Sequence, residues 1–370
     1  LSTRLGQGER PEAKSVALNG IFLYLLCYLL FLSFALFLAR PFMAFFTADS
    51  AILSAGRTYL TIVTGVSVGM TMQFATERIL LACGDPVGPM VIQGVGAVVN
   101  LIMDPILIFG LGPFPALGAA GADIATVMGQ WTGMAVGFLL LRRLRRFPLS
   151  PKGFRPRGDI LAELCRIGIP AAAMQSLSSV MTLGLNKIMA LYDPNAVFIL
   201  GAYFKLQTFL IMPVSGLTNG LTPLVSFNYG ARSRERILPL TRFALALGAA
   251  IMAVGTILLL LIPGPLLGLF GADQAVLDSG IPALRWIAAG LIFSGLSMVL
   301  CAVFQALGAA MTSLVLSLLR QVVLILPAAY LLGLVQVRLI WASFPLAEVL
   351  AFLAALVLFR RIQRKRLSEL

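Results

Sequence analysis

Asp104 is a carboxylate within an apolar run, 86–111, that carries no other charge. In a hydrocarbon setting such a group costs several kcal/mol unless it is paired, bound to a cation or protonated. It is therefore expected to face a cavity or a partner rather than lipid. Asn100 stands four residues earlier, on the same face of a helix. Pro105 follows directly, disfavours a regular helical conformation at Asp104 and leaves the Leu101 carbonyl without its usual donor. One turn thus offers a carboxylate, an amide oxygen and a free carbonyl. Oxygen ligands of this kind suit Na⁺, and a desolvated carboxylate suits H⁺; the plainer reading is a hydrogen bond to a neighbouring helix.

Two further charges stand inside apolar runs, Lys187 and Lys205. Lys187 is close enough to a helix end to reach water along its stem. Lys205 lies deeper and is expected to pair with a carboxylate such as Glu348, or to supply a charge that alternates during a working cycle. Gln175 and Ser179, followed by Gln207 and Asn219, add polar groups to the same two helices, either as interhelical glue or as the lining of a polar cavity. Glu77 beside Arg78 reads as an interfacial salt bridge, and Asp123 as a cap or a solvent-exposed carboxylate.

The elements that position these residues follow from composition. Hydrophobic residues make up 59% of the 370, charged ones 12%, and the mean hydropathy is +0.96. Soluble domains carry roughly 25% charged residues, so a water-facing globular protein, a disordered chain and a disulfide scaffold are all excluded. Histidine is absent, which removes the commonest metal ligand and the usual general base. Nothing matches G-x-x-x-x-G-K-[ST], so no ATP site is expected. The net charge of +13 sits in short loops between apolar runs and does not form the basic face that nucleic acid would need. The four cysteines form no C-x-x-C pair and read as small core hydrophobes.

Hydropathy with Gly and Pro punctuation predicts ten transmembrane helices at 15–39, 53–76, 86–111, 117–141, 161–191, 195–228, 237–262, 277–307, 311–334 and 338–359. Basic residues concentrate in the loops around Arg10, Arg78, Arg142 to Arg157 and Arg232 to Arg236 and in the tail from Arg360, while the alternate loops carry few. The positive-inside rule then puts both chain ends in the cytoplasm. The chain divides into an N-terminal bundle at 1–147, a basic linker at 148–160 and a C-terminal six-helix bundle at 161–370.

An internal repeat spans that linker. FFTADSAILSAG at 45–56 matches LFGADQAVLDSG at 269–280, and LACG at 81–84 matches QALG at 305–308, both at an offset of 224. Near the start, GQGER at 6–10 matches NYGAR at 228–232 at an offset of 222. An even number of spans separates the copies, so the two bundles are parallel repeats. Two spans precede the second copy and none the first, so two helices, about 65 residues, are expected upstream, twelve in all.

The stretches ERILLACGD at 77–85, NLIMDPILIFG at 100–110, LGAAGADIAT at 117–126 and PLVSFNYGAR at 223–232 resemble, in order and spacing, the multidrug and toxic compound extrusion (MATE) transporters. The resemblance runs over essentially the whole chain. It implies an all-α integral membrane protein that exports organic, mainly cationic, molecules in exchange for H⁺ or Na⁺. It places Asn100 and Asp104 on the family's cation site and matches Thr126 to a hydroxyl ligand there. Gln175, Ser179, Lys205, Gln207 and Asn219 become the expected substrate cavity. The expected partners are a small organic substrate and the bilayer of the plasma membrane, with no cofactor beyond the coupling ion, no nucleic acid and no obligate protein partner. A flippase for lipid-linked oligosaccharides shares the architecture and is the nearest alternative. A membrane-embedded enzyme is the distant one, disfavoured by the missing histidine.

Overall fold

The computed structural model describes residues 1–46, 49–143 and 154–367, and these fall into two compact units, Leu1–Ala162 and Glu163–Leu370. The described residues form helices and connecting turns, with no strand among them.

The first unit holds α1 (Ser2–Gly6), α2 (Arg10–Ser33), α3 (Ala39–Phe46), α4 (Ser50–Gly65), α5 (Val68–Ala82), α6 (Val87–Phe109) and α7 (Ala119–Arg143). A π-helical turn, Phe34–Leu38, carries α2 into α3. Asp49 and Asp85 start α4 and α6 by accepting hydrogen bonds from the amides of Ile52 and of Val87 and Gly88. Gly110, at φ 72, ends α6 in the left-handed conformation that glycine tolerates.

The organising helix of this unit is α7. Gly121, Ala125, Gly129, Gly133 and Gly137 recur every fourth residue and are all buried. A stripe this small lets backbones touch. A Cβ on Gly129 would lie 2.6 Å from the Gly96 carbonyl of α6, and one on Gly133 would lie 2.7 Å from the Gln73 side chain of α5.

The span expected over 53–76 is instead two helices, α4 and α5, interrupted at Val66 and Ser67. The break is tolerated because side chains take up the freed carbonyls, as apolar surroundings require. The Tyr28 hydroxyl donates to the Gly65 carbonyl at 3.1 Å, the Trp131 indole N–H to that of Val66 at 3.3 Å, and the Ser67 hydroxyl to that of Thr64 at 2.8 Å.

Helix α8 (Gly158–Tyr192) leads from the first unit into the second, which continues with α9 (Pro194–Gly230), α10 (Arg234–Leu261), α11 (Pro263–Gly268), α12 (Gln274–Ala306), α13 (Ala310–Leu318), α14 (Ile325–Val335) and α15 (Ser343–Ile362). A π-helical segment, Leu319–Leu324, joins α13 to α14, and a 3₁₀ turn, Val337–Ala342, joins α14 to α15. Here α12 forms the core. Ala283, Leu284, Ile287, Leu291, Val299 and Val303 are buried on it, with α9, α10 and α15 packed around.

The repeat is visible in hydrogen bonds. Ser2 donates to the Ala82 carbonyl, and Ser226 donates to that of Ala306. The amide of Glu9 bonds Arg4 and that of Ser233 bonds Asn228; Asp85 bonds Leu80 and Ala309 bonds Phe304. Every pair is separated by 224 positions. This corrects the offset of 222 at the N-terminal match. Gly8, the left-handed residue after α1, corresponds to Arg232 at φ 53 rather than to Gly230, which ends α9 as Gly6 ends α1.

Nine helices among the described residues are long and apolar enough to cross a membrane, and the interrupted α4–α5 supplies the tenth apolar stretch. Large apolar side chains such as Phe37 and Leu261 stand three-quarters exposed, as lipid-facing residues do. The chain is an all-α, multi-pass membrane protein. Of the segment expected as a linker, 148–153 lies outside the described residues, along with Arg145 and Arg146. Its far end docks on α2. The Arg157 amide donates to Asn19 Oδ1 at 2.9 Å, and its guanidinium pairs with Glu12 at 2.9 Å and Asp159 at 2.6 Å. These bonds, that to Asp159 foremost, hold the Arg157 pKa above its ordinary value.

Candidate functional site

The close approach of α6 and α7 at Gly96 and Gly129 brings Asn100 across from Thr126. A Cβ on Gly129 would lie 3.2 Å from that of Asn100. From there the Asn100 amide nitrogen reaches Asp104 Oδ1 and Thr126 Oγ1, each at 3.4 Å, the long end of hydrogen bonding. Thr126 spends its own proton on the Ala122 carbonyl at 3.0 Å, which leaves its lone pairs turned to the cluster. Asn100 and Asp104 are half-buried and Thr126 is exposed. Asn100 thus turns its Nδ2, and not its amide oxygen, to the Asp104 carboxylate and the Thr126 hydroxyl oxygen. The helix runs through Asp104 and Pro105 to Phe109, in place of the irregular turn that Pro105 suggested. Membrane helices accommodate a proline where neighbouring helices pack on the freed carbonyl.

Glu77 is buried and accepts one amide on each carboxylate oxygen, from Gln73 and from Gln93, both at 3.0 Å. It thus ties α5 to α6, a tighter role than the interfacial pairing with Arg78 that their adjacency suggested.

In the second unit the expected pairing of Lys205 with Glu348 does not form. Tyr203 packs edge-on against Phe344, with centroids 5.5 Å apart, and this turns the Tyr203 face of α9 toward α15. Lys205, two residues on, is rotated about 200° around the helix and is exposed. Glu348, one turn beyond Phe344, meets Arg320 instead: Nη1 donates to Oε1 and Oε2 at 3.2 Å each and to Ser294 Oγ at 3.1 Å. The adjacent Gln321 accepts from Ser178 of α8 at 3.1 Å. Sequence reasoning passed over Arg320, although a guanidinium beside a glutamine well inside the apolar run 311–334 was the available signal. Of the residues expected to line a substrate cavity, Gln175 and Ser179 lie on α8 and Lys205, Gln207 and Asn219 on α9. All but the half-buried Gln207 are exposed.

The family model MatE matches residues 1–106 and 170–331. The chain belongs to the MatE family. Among curated relatives of this MatE protein, an FAD transporter of Shewanella oneidensis is 26% identical over 98% of the chain and 80% of its own length. The multidrug export protein MepA of Staphylococcus aureus is 27% identical over 97% of the chain and 78% of its own length. A solved outward-facing multidrug resistance MATE family transporter superposes over the whole chain and 82% of its own, with a TM-score of 0.90 at 21% identity, which shows the shared fold. The MatE protein is accordingly an efflux transporter and not an enzyme.

Proposed function

We propose that this MatE protein is an antiporter that exports organic molecules, cationic ones among them, by alternating access, with H⁺ or Na⁺ as the coupling ion. The observation that carries the reading is the convergence of Asn100, Asp104 and Thr126 on one point between α6 and α7. A carboxylate there has two ionic states, and an ion that neutralises it shifts the balance of conformations by its differential affinity for them. Na⁺ would take Asp104 and Thr126 Oγ1 as ligands, with Asn100 joining them once its amide turns its oxygen in place of Nδ2; H⁺ would need Asp104 alone. Relatives named for FAD transport and for multidrug export support organic substrates, with Gln175, Ser179, Lys205, Gln207 and Asn219 as their polar contacts.

In this reading 1–147 and 161–370 are the two moving bodies and 148–160 joins them. The basic loops put both chain ends on the cytoplasmic face of the plasma membrane, and a single chain in its bilayer suffices. The test is efflux of a fluorescent cationic dye from vesicles holding the purified protein, with Na⁺ and H⁺ gradients imposed separately. Acceleration by one gradient is expected. Efflux indifferent to both would overturn the coupling.

A further inference from the structure

We infer that Arg320 is an oxyanion-binding residue in the second unit, which takes a carboxylate or phosphate group of the exported molecule on the edge of its guanidinium that Glu348 leaves free. The inference rests on the reading of the chain as an exporter of organic molecules and gives that substrate a chemical class.

The guanidinium is used on one side only. Nη1 makes all three described bonds, to both oxygens of Glu348 and to Ser294 Oγ. Nε and Nη2 have no partner among the described residues. They are not sealed away either, because the single buried side-chain polar atom left without a partner among the described residues is Ser297 Oγ. The Arg320 side chain keeps 22% of its surface and Glu348 keeps 14%, and the Nε and Nη2 edge is not fully closed off. That edge presents parallel N–H donors in the geometry that a carboxylate or phosphate accepts with two oxygens.

The surroundings agree. Tyr203, on α9, lies within electrostatic reach of both Arg320 and Glu348. Ser297 stands one turn along α12 from Ser294, so a second hydroxyl faces the same side of that helix without a partner. The titratable and charged groups that face Arg320 are Glu348 of α15, Cys301 of α12 and Tyr203 of α9. Glu348 is the one described carboxylate among them, and it already occupies Nη1. The π-helical segment Leu319–Leu324 that carries Arg320 is the local irregularity expected where a side chain must be re-aimed for binding.

The probe is flavin mononucleotide, with riboflavin as its phosphate-free counterpart, titrated by flavin fluorescence against the purified protein in phosphatidylcholine nanodiscs. Flavin mononucleotide should bind about tenfold or more tightly than riboflavin, as a charge-assisted bidentate contact provides. Arg320→Lys, which keeps the pairing with Glu348 but has no second edge, should abolish that preference while melting within a few degrees of the wild type. Glu348→Gln should act in the opposite direction and tighten flavin mononucleotide binding, because it removes the competing carboxylate. Loss of the preference on doping the wild-type nanodiscs with phosphatidylglycerol, without effect on Arg320→Lys, would support the same site with a lipid headgroup as its occupant. Equal binding of the two flavins with no effect of phosphatidylglycerol, or a preference that survives Arg320→Lys, would overturn the inference. Should Arg320→Lys fail to fold, a Glu348→Gln variant that folds and weakens the preference would overturn it equally. Dye efflux measured in parallel separates the two readings: efflux without a phosphate preference refutes the anion site alone, and a phosphate preference without efflux refutes the export reading alone.

Discussion

Arg320 donates through one nitrogen to both carboxylate oxygens of Glu348, at 3.2 Å each. Removing either partner strands the other. Arg320→Met should therefore cost about 3 kcal/mol of stability, read as a lowered thermal midpoint in detergent. The double variant Arg320→Met with Glu348→Leu should recover most of that loss. A double variant as unstable as the single one would show that the pair contributes by packing alone.

The caps on the interrupted span give a second expectation. Tyr28→Phe leaves the Gly65 carbonyl without its donor, at a cost of about 1 kcal/mol. Hydrogen exchange should quicken at amides around 62–70 and remain unchanged in α12. Uniform exchange across both units would contradict a local role for Tyr28.

Backbone contact between Gly96 and Gly129 sets the distance from Asn100 to Thr126. Gly129→Ala puts a methyl against a carbonyl oxygen that cannot rotate away, so α6 and α7 must part. Gradient-driven efflux should fall by about tenfold, for a misplacement well under an ångström at a binding point, while insertion in the membrane is retained. Efflux at the wild-type rate would mean that the three residues need not converge.

Much of this was legible in the sequence, for identifiable reasons. Charge-free runs reveal spans because hydrocarbon permits few charges, and Asn100 and Asp104 are linked by a four-residue spacing that any helix brings to one face. Thr126 was found through the family resemblance, since no spacing rule connects residues on different helices. Arg320 went unread because hydropathy averaged over a window absorbs one guanidinium among leucines and valines. The break at Val66 and Ser67 lacks a proline, and its stabilisers, Tyr28 and Trp131, are distant in the chain. The register of the repeat slipped by two where the match aligned one glycine with another, although the backbone equates Gly8 with Arg232.

Orientation has its own test. Single cysteines placed at Arg232 and at Asp193 should differ in labelling by a membrane-impermeant maleimide applied to intact cells, with Asp193 labelled and Arg232 protected. The reverse pattern would invert the proposed topology.

The most direct measurement of the coupling proposal is dye efflux by Asp104→Asn in vesicles under an imposed H⁺ or Na⁺ gradient. Asparagine keeps the size and hydrogen bonding of the side chain and removes its titratable charge. The variant should insert, bind dye as the wild type does, and lose the acceleration that the gradient gives. Gradient-driven efflux at the wild-type rate would contradict the account and reduce Asp104 to a structural residue.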